Sequence, residues 1–362
     1  MKPQVIAFYL PQFHAIPEND EWWGKGFTDW TNVSKAKPLF KGHRQPRVPK
    51  EGCYDLSDVA VMRWQASLAR TYGVAGFCFY HYWFSGKLLL EKPAENLLHC
   101  SDVDMPFCFS WANEPWARTW DGKARQVLMP QDYGRERDWV EHFNYLLPFF
   151  KDPRYICVDG SPMFLIYKTR SIPSCKEMME LWIRMAREAG LPGIHFVQTI
   201  RENTLDERDL PFAANAEFEP ARSIRLQGSC RLQMQRVRRM LLRGYNKVFH
   251  QQHHTNPLIP FSKMAGISLS TDSPKGTYGG VFAGWDNSAR RGVDATIILP
   301  PSKEQFAEYL RAKIKQTRDS YGTNYLFVNA WNEWAEGTYL EPDMDNGYMY
   351  LEAIRDVLKE FE

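Results

Sequence analysis

Glu333 and Glu336 stand three residues apart in the run Trp331-Asn332-Glu333-Trp334-Ala335-Glu336. Two carboxylic acids this close can interact, one charge raising the pKa of the other and keeping a proton donor near neutrality. Glycoside chemistry needs such a pair, one group to protonate the leaving oxygen and one to act as nucleophile or base. Glu-x-x-Glu alone is most often a solvated helix edge, and it is the bracketing by Trp331, Asn332 and Trp334 that lifts this one. A competing pair is Glu114, in Asn113-Glu114, with Glu333. Asp102-x-Asp104 and Asp343-x-Asp345 have the acidic spacing by which many nucleotide-sugar transferases hold a divalent metal, although the first precedes its strand. The histidines, His253-His254 included, lack metal-ligand spacing such as HExxH, and no P-loop or GxSxG is present. No metal and no cofactor is therefore expected.

The second chemical signal is aromatic: 13 Trp, 17 Tyr and 22 Phe make 14% of 362 residues. Many lie where apolar runs end. Tyr9, His14, Trp22, Trp23 and Trp30 follow the first run, and Tyr80-His81-Tyr82-Trp83 closes the second. Trp111, Asn113, Glu114, Trp116, Trp120 and Asp121 follow the third, Glu217 and Glu219 the sixth, and Trp285-Asp286-Asn287 with Arg290-Arg291 the seventh. Asn332 and Trp334 follow the eighth. Ten of the 13 Trp fall on these segments. Indole faces stack on the C–H faces of sugars while acids and amides take the hydroxyls, so the set reads as an oligosaccharide or polysaccharide site; the plain alternative is that Trp at loop starts caps a barrel.

The elements that must position these residues recur in order. Apolar, β-branched and aromatic runs occupy Val5–Leu10, Gly76–Tyr82, Pro106–Trp111, Met163–Tyr167, His195–Thr199, Ala213–Phe218, Gly279–Phe282 and Tyr325–Ala330. Helical periodicity fills Val59–Tyr72, Trp139–Phe150, Glu177–Ala189 and Lys303–Ser320, with Gly190 and Gly322 as stops after the last two, and resumes from Tyr348. Runs apolar on both faces alternating with helices predict an α/β fold with a parallel sheet, closed as one (β/α)8 TIM barrel over residues 1–362. A doubly wound sheet fits less well, since no Gly-rich fingerprint follows the first strand. In a barrel the working face is at the carboxyl ends of the strands, where these residues fall.

Composition and charge set further bounds. The net charge of +2 argues against a dedicated nucleic-acid binder. It conceals an asymmetry, because residues 220–271 hold nine Lys or Arg and no Asp or Glu. Within it, Val237, Met240, Leu241 and Val248 fall at helical spacing among Arg236, Arg238, Arg239, Arg243 and Lys247. Residues 222–262 thus read as a basic helical insertion between strands six and seven, either a solvated cover or a contact for an anionic lipid or lipid-linked glycan. The odd count of seven Cys, several in apolar runs, reads as reduced thiols. The apolar stretch before Pro11 is too short for a signal peptide, and no run approaches a membrane span. A cytoplasmic location follows as an expectation, at most peripheral to the inner membrane.

The segments AFYLPQFHAIPENDEWWGKGFTDWTNV, FYHYWF, PFCFSWANEPWARTWDG, GWDN and VNAWNEWAEGTYLEPD resemble the WbsX-type family of bacterial polysaccharide-cluster proteins, often labelled glycosyltransferases. That family is similar to glycoside hydrolase family 99, the endo-α-mannosidases and endo-α-mannanases, whose (β/α)8 barrels carry an NEWHEGT motif. The resemblance implies a retaining reaction with no enzyme nucleophile: Glu333 deprotonates the sugar's own 2-hydroxyl to give a 1,2-anhydro sugar, and Glu336 is the general acid and then base. It implies a manno- or rhamno-configured α-glycan. Ala335 departs from the motif's His. A transferase of surface-polysaccharide assembly acting on a lipid-linked acceptor, and a barrel that binds glycans without chemistry, remain the alternative functions.

Overall fold

The computed structural model describes residues 2–118, 126–202, 205–227, 229–251 and 253–362, with backbone alone for 229–236. Trp120, Asp121 and the side chain of Arg236 lie outside the described residues.

Eight parallel strands form the barrel: β1 (Gln4–Tyr9), β2 (Val74–Phe84), β3 (Phe107–Trp111), β4 (Ser161–Ile166), β5 (His195–Ile200), β6 (Ala214–Glu217), β7 (Thr277–Phe282) and β8 (Tyr325–Asn329). Each pairs with the next, and β1 closes the ring by pairing with both β2 and β8, with Val5 opposite Val74 and Leu326. The strands are buried almost throughout, which is why their sequences run apolar without a polar face. Successive side chains nevertheless alternate between barrel interior and helix layer. Phe8 meets Tyr80, Phe218 and Phe327 at centroid distances of 5.7, 5.1 and 5.3 Å inside the barrel. Tyr9, its neighbour, points outward to Phe79 at 4.3 Å.

Helices Val59–Thr71, Glu136–Phe150, Cys175–Glu188, Lys303–Gln316 and Met349–Leu358 cover the outside. Between β6 and β7 the chain forms three helices, Ala221–Leu226, Ser229–Phe249 and Phe261–Ser270. The last of these packs on the barrel, with Phe261 5.1 Å from Phe282. Among the described residues no helix is long and apolar enough to cross a membrane.

Candidate functional site

The turn after β8 carries both acids, and its shape is fixed from two sides. Trp331 donates its backbone N–H to Phe8 O at 2.7 Å, and the Asn332 amide accepts from Leu10 N at 2.8 Å and donates to Leu10 O at 3.0 Å. Asn332–Glu333 then pairs antiparallel with Thr338–Tyr339, leaving Trp334–Glu336 as a single tight turn closed by Gly337 at φ +60°. A Cβ at Gly337 would meet Asp286 atoms at 2.8–2.9 Å, so the position demands glycine for space as well as for backbone. Trp334 stacks on Tyr339 at 3.8 Å beneath the turn and donates from Nε1 to Glu341 at 2.7 Å. Glu341 also accepts from Tyr54 and Gln65, and burial pushes its pKa up to about 7.

Arg290 joins the two acids. Its Nη1 lies 2.8 Å from Glu336 Oε1, and its Nη2 lies 3.0 Å from Asp29 Oδ2 and 3.6 Å from Glu333 Oε2. Three carboxylates and one guanidinium therefore share a largely desolvated space. Burial would weaken the Arg290 charge, but Asp29, Glu336 and Glu333 together hold it firmly protonated. Burial raises the pKa of Glu333 well above the carboxylate range, the neighbouring Glu336 adds to it, and Arg290 opposes. Glu336 is also raised by burial, with Arg290 opposing. Glu333 is the more enclosed of the two, and its Oε2 has no hydrogen-bond partner. Burial thus favours the protonated form of both acids and Arg290 the ionised form, a balance in which one acid can hold a proton beside a charge on the other.

The wall opposite is aromatic. Tyr80 and Tyr82 alternate into the barrel from β2, and both phenols are raised chiefly by burial and next by the Glu333 charge. Trp116 meets the edge of Tyr82 at 5.2 Å and of Trp22 at 5.8 Å, and Arg118 stacks over the half-exposed Trp23 at 4.6 Å. Tyr167 carries Arg201 over its ring at 4.1 Å. Glu114 accepts from Arg201 at 3.1 Å and Lys168 at 2.7 Å. Burial acts to raise the Glu114 pKa and is outweighed by these two cations, so Glu114 stays ionised and is a poor proton donor.

The structure thus gathers Glu333, Glu336, Tyr80, Tyr82, Trp22, Trp23, Trp116 and Glu114 at the mouth, with Trp285 partly exposed on the neighbouring hairpin. Other expected residues stand apart. Tyr9 is fully buried and donates to Gln65, and His14 is buried with Nδ1 2.9 Å from Pro11 O. His81 and Trp83 alternate outward from β2 into the helix layer, where His81 Nε2 lies 2.8 Å from His142 Nε2 and Trp83 stacks on His142 at 4.5 Å. Trp111 packs on the same histidine at 4.9 Å. Asn113 clamps β3 to β4 through both main-chain atoms of Lys168, as Asn332 clamps β8 to β1. Trp30, Trp331 and Trp334 pack beneath the mouth. Glu219 lies behind β6, 3.7 Å from Arg222, in a buried cluster where Glu217 accepts from Lys313 at 2.9 Å.

Asp286 accepts from Gln45 Nε2 at 2.8 Å and lies 2.7 Å from His43 Nε2, and Asn287 accepts from Thr296 N; both shape the loop that presents Arg290. Of the acidic pairs, Asp102 and Asp104 bind Arg63 and Arg70 on the exterior, and Asp343 accepts from Tyr339. Asp29, Tyr167, Arg201 and Lys168 were missed as members of the mouth, and Arg290 was placed on the rim without a role. The signal for Arg290 was its place just after the GWDN segment; the other four had none.

Residues 5–354 match the family described as Glycosyltransferase WbsX. Proteins named WxcX from two strains of Xanthomonas campestris pv. campestris are 37% identical over 363 residues, covering 98% of this chain and 49% of their own length. The chain therefore spans about half the length of these curated relatives. Among solved structures, the GH99 endo-α-mannosidase of Bacteroides thetaiotaomicron in complex with bis-tris propane is 15% identical with a TM-score of 0.58, covering 100% of this chain and 98% of that one. A second structure of that enzyme gives 0.56 at 15% identity, over 99% of this chain and 97% of that one. A glycoside hydrolase-like protein gives 0.58 at 11% identity, over 99% and 94%. These likenesses show the barrel fold.

Proposed function

The chain belongs to the glycosyltransferase WbsX family, and from that membership and the paired acids after β8 we propose a carbohydrate-active enzyme that cleaves or transfers an α-linked manno- or rhamno-configured unit with retention. The observation that carries the reading is the sharing of one arginine by Glu333 and Glu336 on a single turn. The route requires O2 trans to the leaving oxygen, so neighbouring acids would serve the two ends of one C1–C2 bond, one at O2 and one at the leaving oxygen. Burial favours the proton on Glu333 and the Arg290 ion pair favours charge on Glu336, so in this reading substrate binding first shifts the shared proton to Glu336, and Glu333 then takes the proton of the 2-hydroxyl as O2 closes on C1. The bond from C1 to the leaving oxygen breaks, and that oxygen takes the proton of Glu336. Water or an acceptor hydroxyl then gives its proton to Glu336 and opens the 1,2-anhydro sugar at C1, while Glu333 returns its proton to O2. Arg290 compensates the charge that moves between the acids, and Trp22, Trp116 and Tyr82 offer faces for neighbouring sugars.

The test is turnover of α-mannosides, α-rhamnosides and their oligosaccharides, with the anomer of the first-formed product followed by NMR. Retention supports the route; inversion overturns it.

A second reading, transfer to a lipid-linked acceptor in surface-polysaccharide assembly, is favoured by one observation. The Ser229–Phe249 helix is tied through Arg243 to Asp294, in the same loop that carries Arg290. A requirement for an activated donor and a lipid-linked acceptor, with no hydrolysis of oligosaccharides, would select it.

A further inference from the structure

The helix Ser229–Phe249 is amphipathic in the reverse of the usual sense. A helix covering a protein core turns its apolar stripe inward. Here Val237, Met240, Leu241, Tyr245 and Val248 recur at the spacings of one helical face, and that face points to solvent. Met240 and Leu241 are each 66% exposed and Val248 is 69% exposed. Polar residues hold the helix to the body instead. Arg239 Nε donates to Asn256 Oδ1 at 2.8 Å, Arg243 binds Asp294 at 2.8 Å, Arg238 donates to Thr255 O at 3.1 Å, and Asn246 donates to His253 O at 2.7 Å. The inward side is thus satisfied by hydrogen bonds, and the apolar stripe is left uncovered.

Charge identifies what covers it. Lys247 and Arg238 are exposed along the borders of the stripe, and the stretch from Pro220 to Thr271 contains no acid that could neutralise a partner's cations. A second copy docking by the same face would set two acid-free basic stretches against each other. An exposed stripe of Leu, Met, Val and Tyr bordered by Lys and Arg has the chemistry of a helix lying in the plane of an anionic lipid surface. We propose that this helix docks the protein on anionic lipid, with Val237, Met240, Leu241 and Val248 entering the acyl boundary and Lys247 and Arg238 meeting headgroup phosphates. Docking in this way stands on the surface alone and holds whichever glycan reaction the mouth performs. Because Arg243 ties the helix to the loop of Arg290, docking brings one edge of the barrel mouth to the lipid surface.

Flotation of the full chain with large unilamellar vesicles tests the proposal. The wild type should float with phosphatidylcholine vesicles containing phosphatidylglycerol and stay behind with phosphatidylcholine alone. The triple variant Met240→Glu, Leu241→Glu, Val248→Glu should bind more than about tenfold more weakly. Lys247→Gln should weaken binding about fivefold. These side chains are exposed, so the variants should keep the wild-type thermal midpoint, and Glu336→Gln should float as the wild type does. Absence of wild-type binding, or full binding by the triple variant, would overturn the proposal. So would a wild-type dimer in sedimentation velocity that the triple variant abolishes, because the face would then join two copies.

Discussion

Replacing Glu333 or Glu336 by glutamine keeps the shape of the turn while removing one proton-transfer group. Turnover of any substrate handled by this pair should fall by roughly 10²–10⁴. The fold should not suffer, since Glu333 is a buried carboxylate with an oxygen that has no hydrogen-bond partner, and its loss removes a desolvation cost. Turnover and thermal midpoint measured on the same samples check both halves; a variant that is inactive because it is unfolded would sink the assignment. Arg290→Gln has a signed consequence. Arg290 lowers the pKa of both acids, so without it both hold their protons to higher pH. The acidic limb of the kcat/KM profile, which reports ionisation of the base, should move to higher pH, with part of the lost activity regained on the alkaline side. A limb that stayed in place would show that Arg290 does not set the charge of the pair. The acids were legible because a carboxylate at a strand end stands out. The arginine was not, because its role exists only once the loop after β7 folds over the turn after β8.

The turn after β8 owes its geometry to its hydrogen-bonded seat as much as to its own sequence. Glu341 lies in that seat among Tyr54, Gln65 and Trp334, with a pKa near 7 against about 4.3 for an unfolded glutamate. The folded state therefore keeps a proton that the unfolded state releases between about pH 4 and 7. Stability should fall as pH rises through that window, by about 3–4 kcal/mol, and level off above it. Glu341→Gln should flatten this descent, as urea midpoints at pH 5 and pH 7 would show; an equal descent in both proteins would count against it. Elements of this kind were unevenly legible. All eight strands were, since Phe, Val and Ile on both faces leave few other readings. The direction of each aromatic ring was harder to read. Tyr80-His81-Tyr82-Trp83 looks like one cluster in sequence, yet alternation sends Tyr80 and Tyr82 to the mouth and His81 and Trp83 to the helices. The same step buries Trp111, and the turns of the chain bury Trp331 and Trp334, so the aromatic excess divides between the wall of the mouth and packing.

Taken whole, the molecule is an acidic barrel with a basic attachment, because nine cations in residues 220–271 leave the remainder with an excess of acids. The charge pattern was legible in the sequence; that the helix would turn its apolar stripe outward was not, since periodicity defines a face without saying which way it looks. Closure is the other property of the whole. The partners of β1 in β8 lie roughly 320 residues downstream, with Gln4 opposite Tyr325. The acids sit on a turn pinned to Phe8 O and Leu10, at the join of the first and last strands. In refolding from denaturant, helical signal should therefore return well before activity, and catalysis should appear only in the slowest phase; activity that returned with the helices would contradict this. On the ribosome the same pinning acts as a timer. At roughly 5–20 residues per second, β1 waits tens of seconds for β8, and during that interval a nascent chain displays a growing open sheet and an unmade site. Whatever reaction the mouth performs must wait until the last strand has been synthesised.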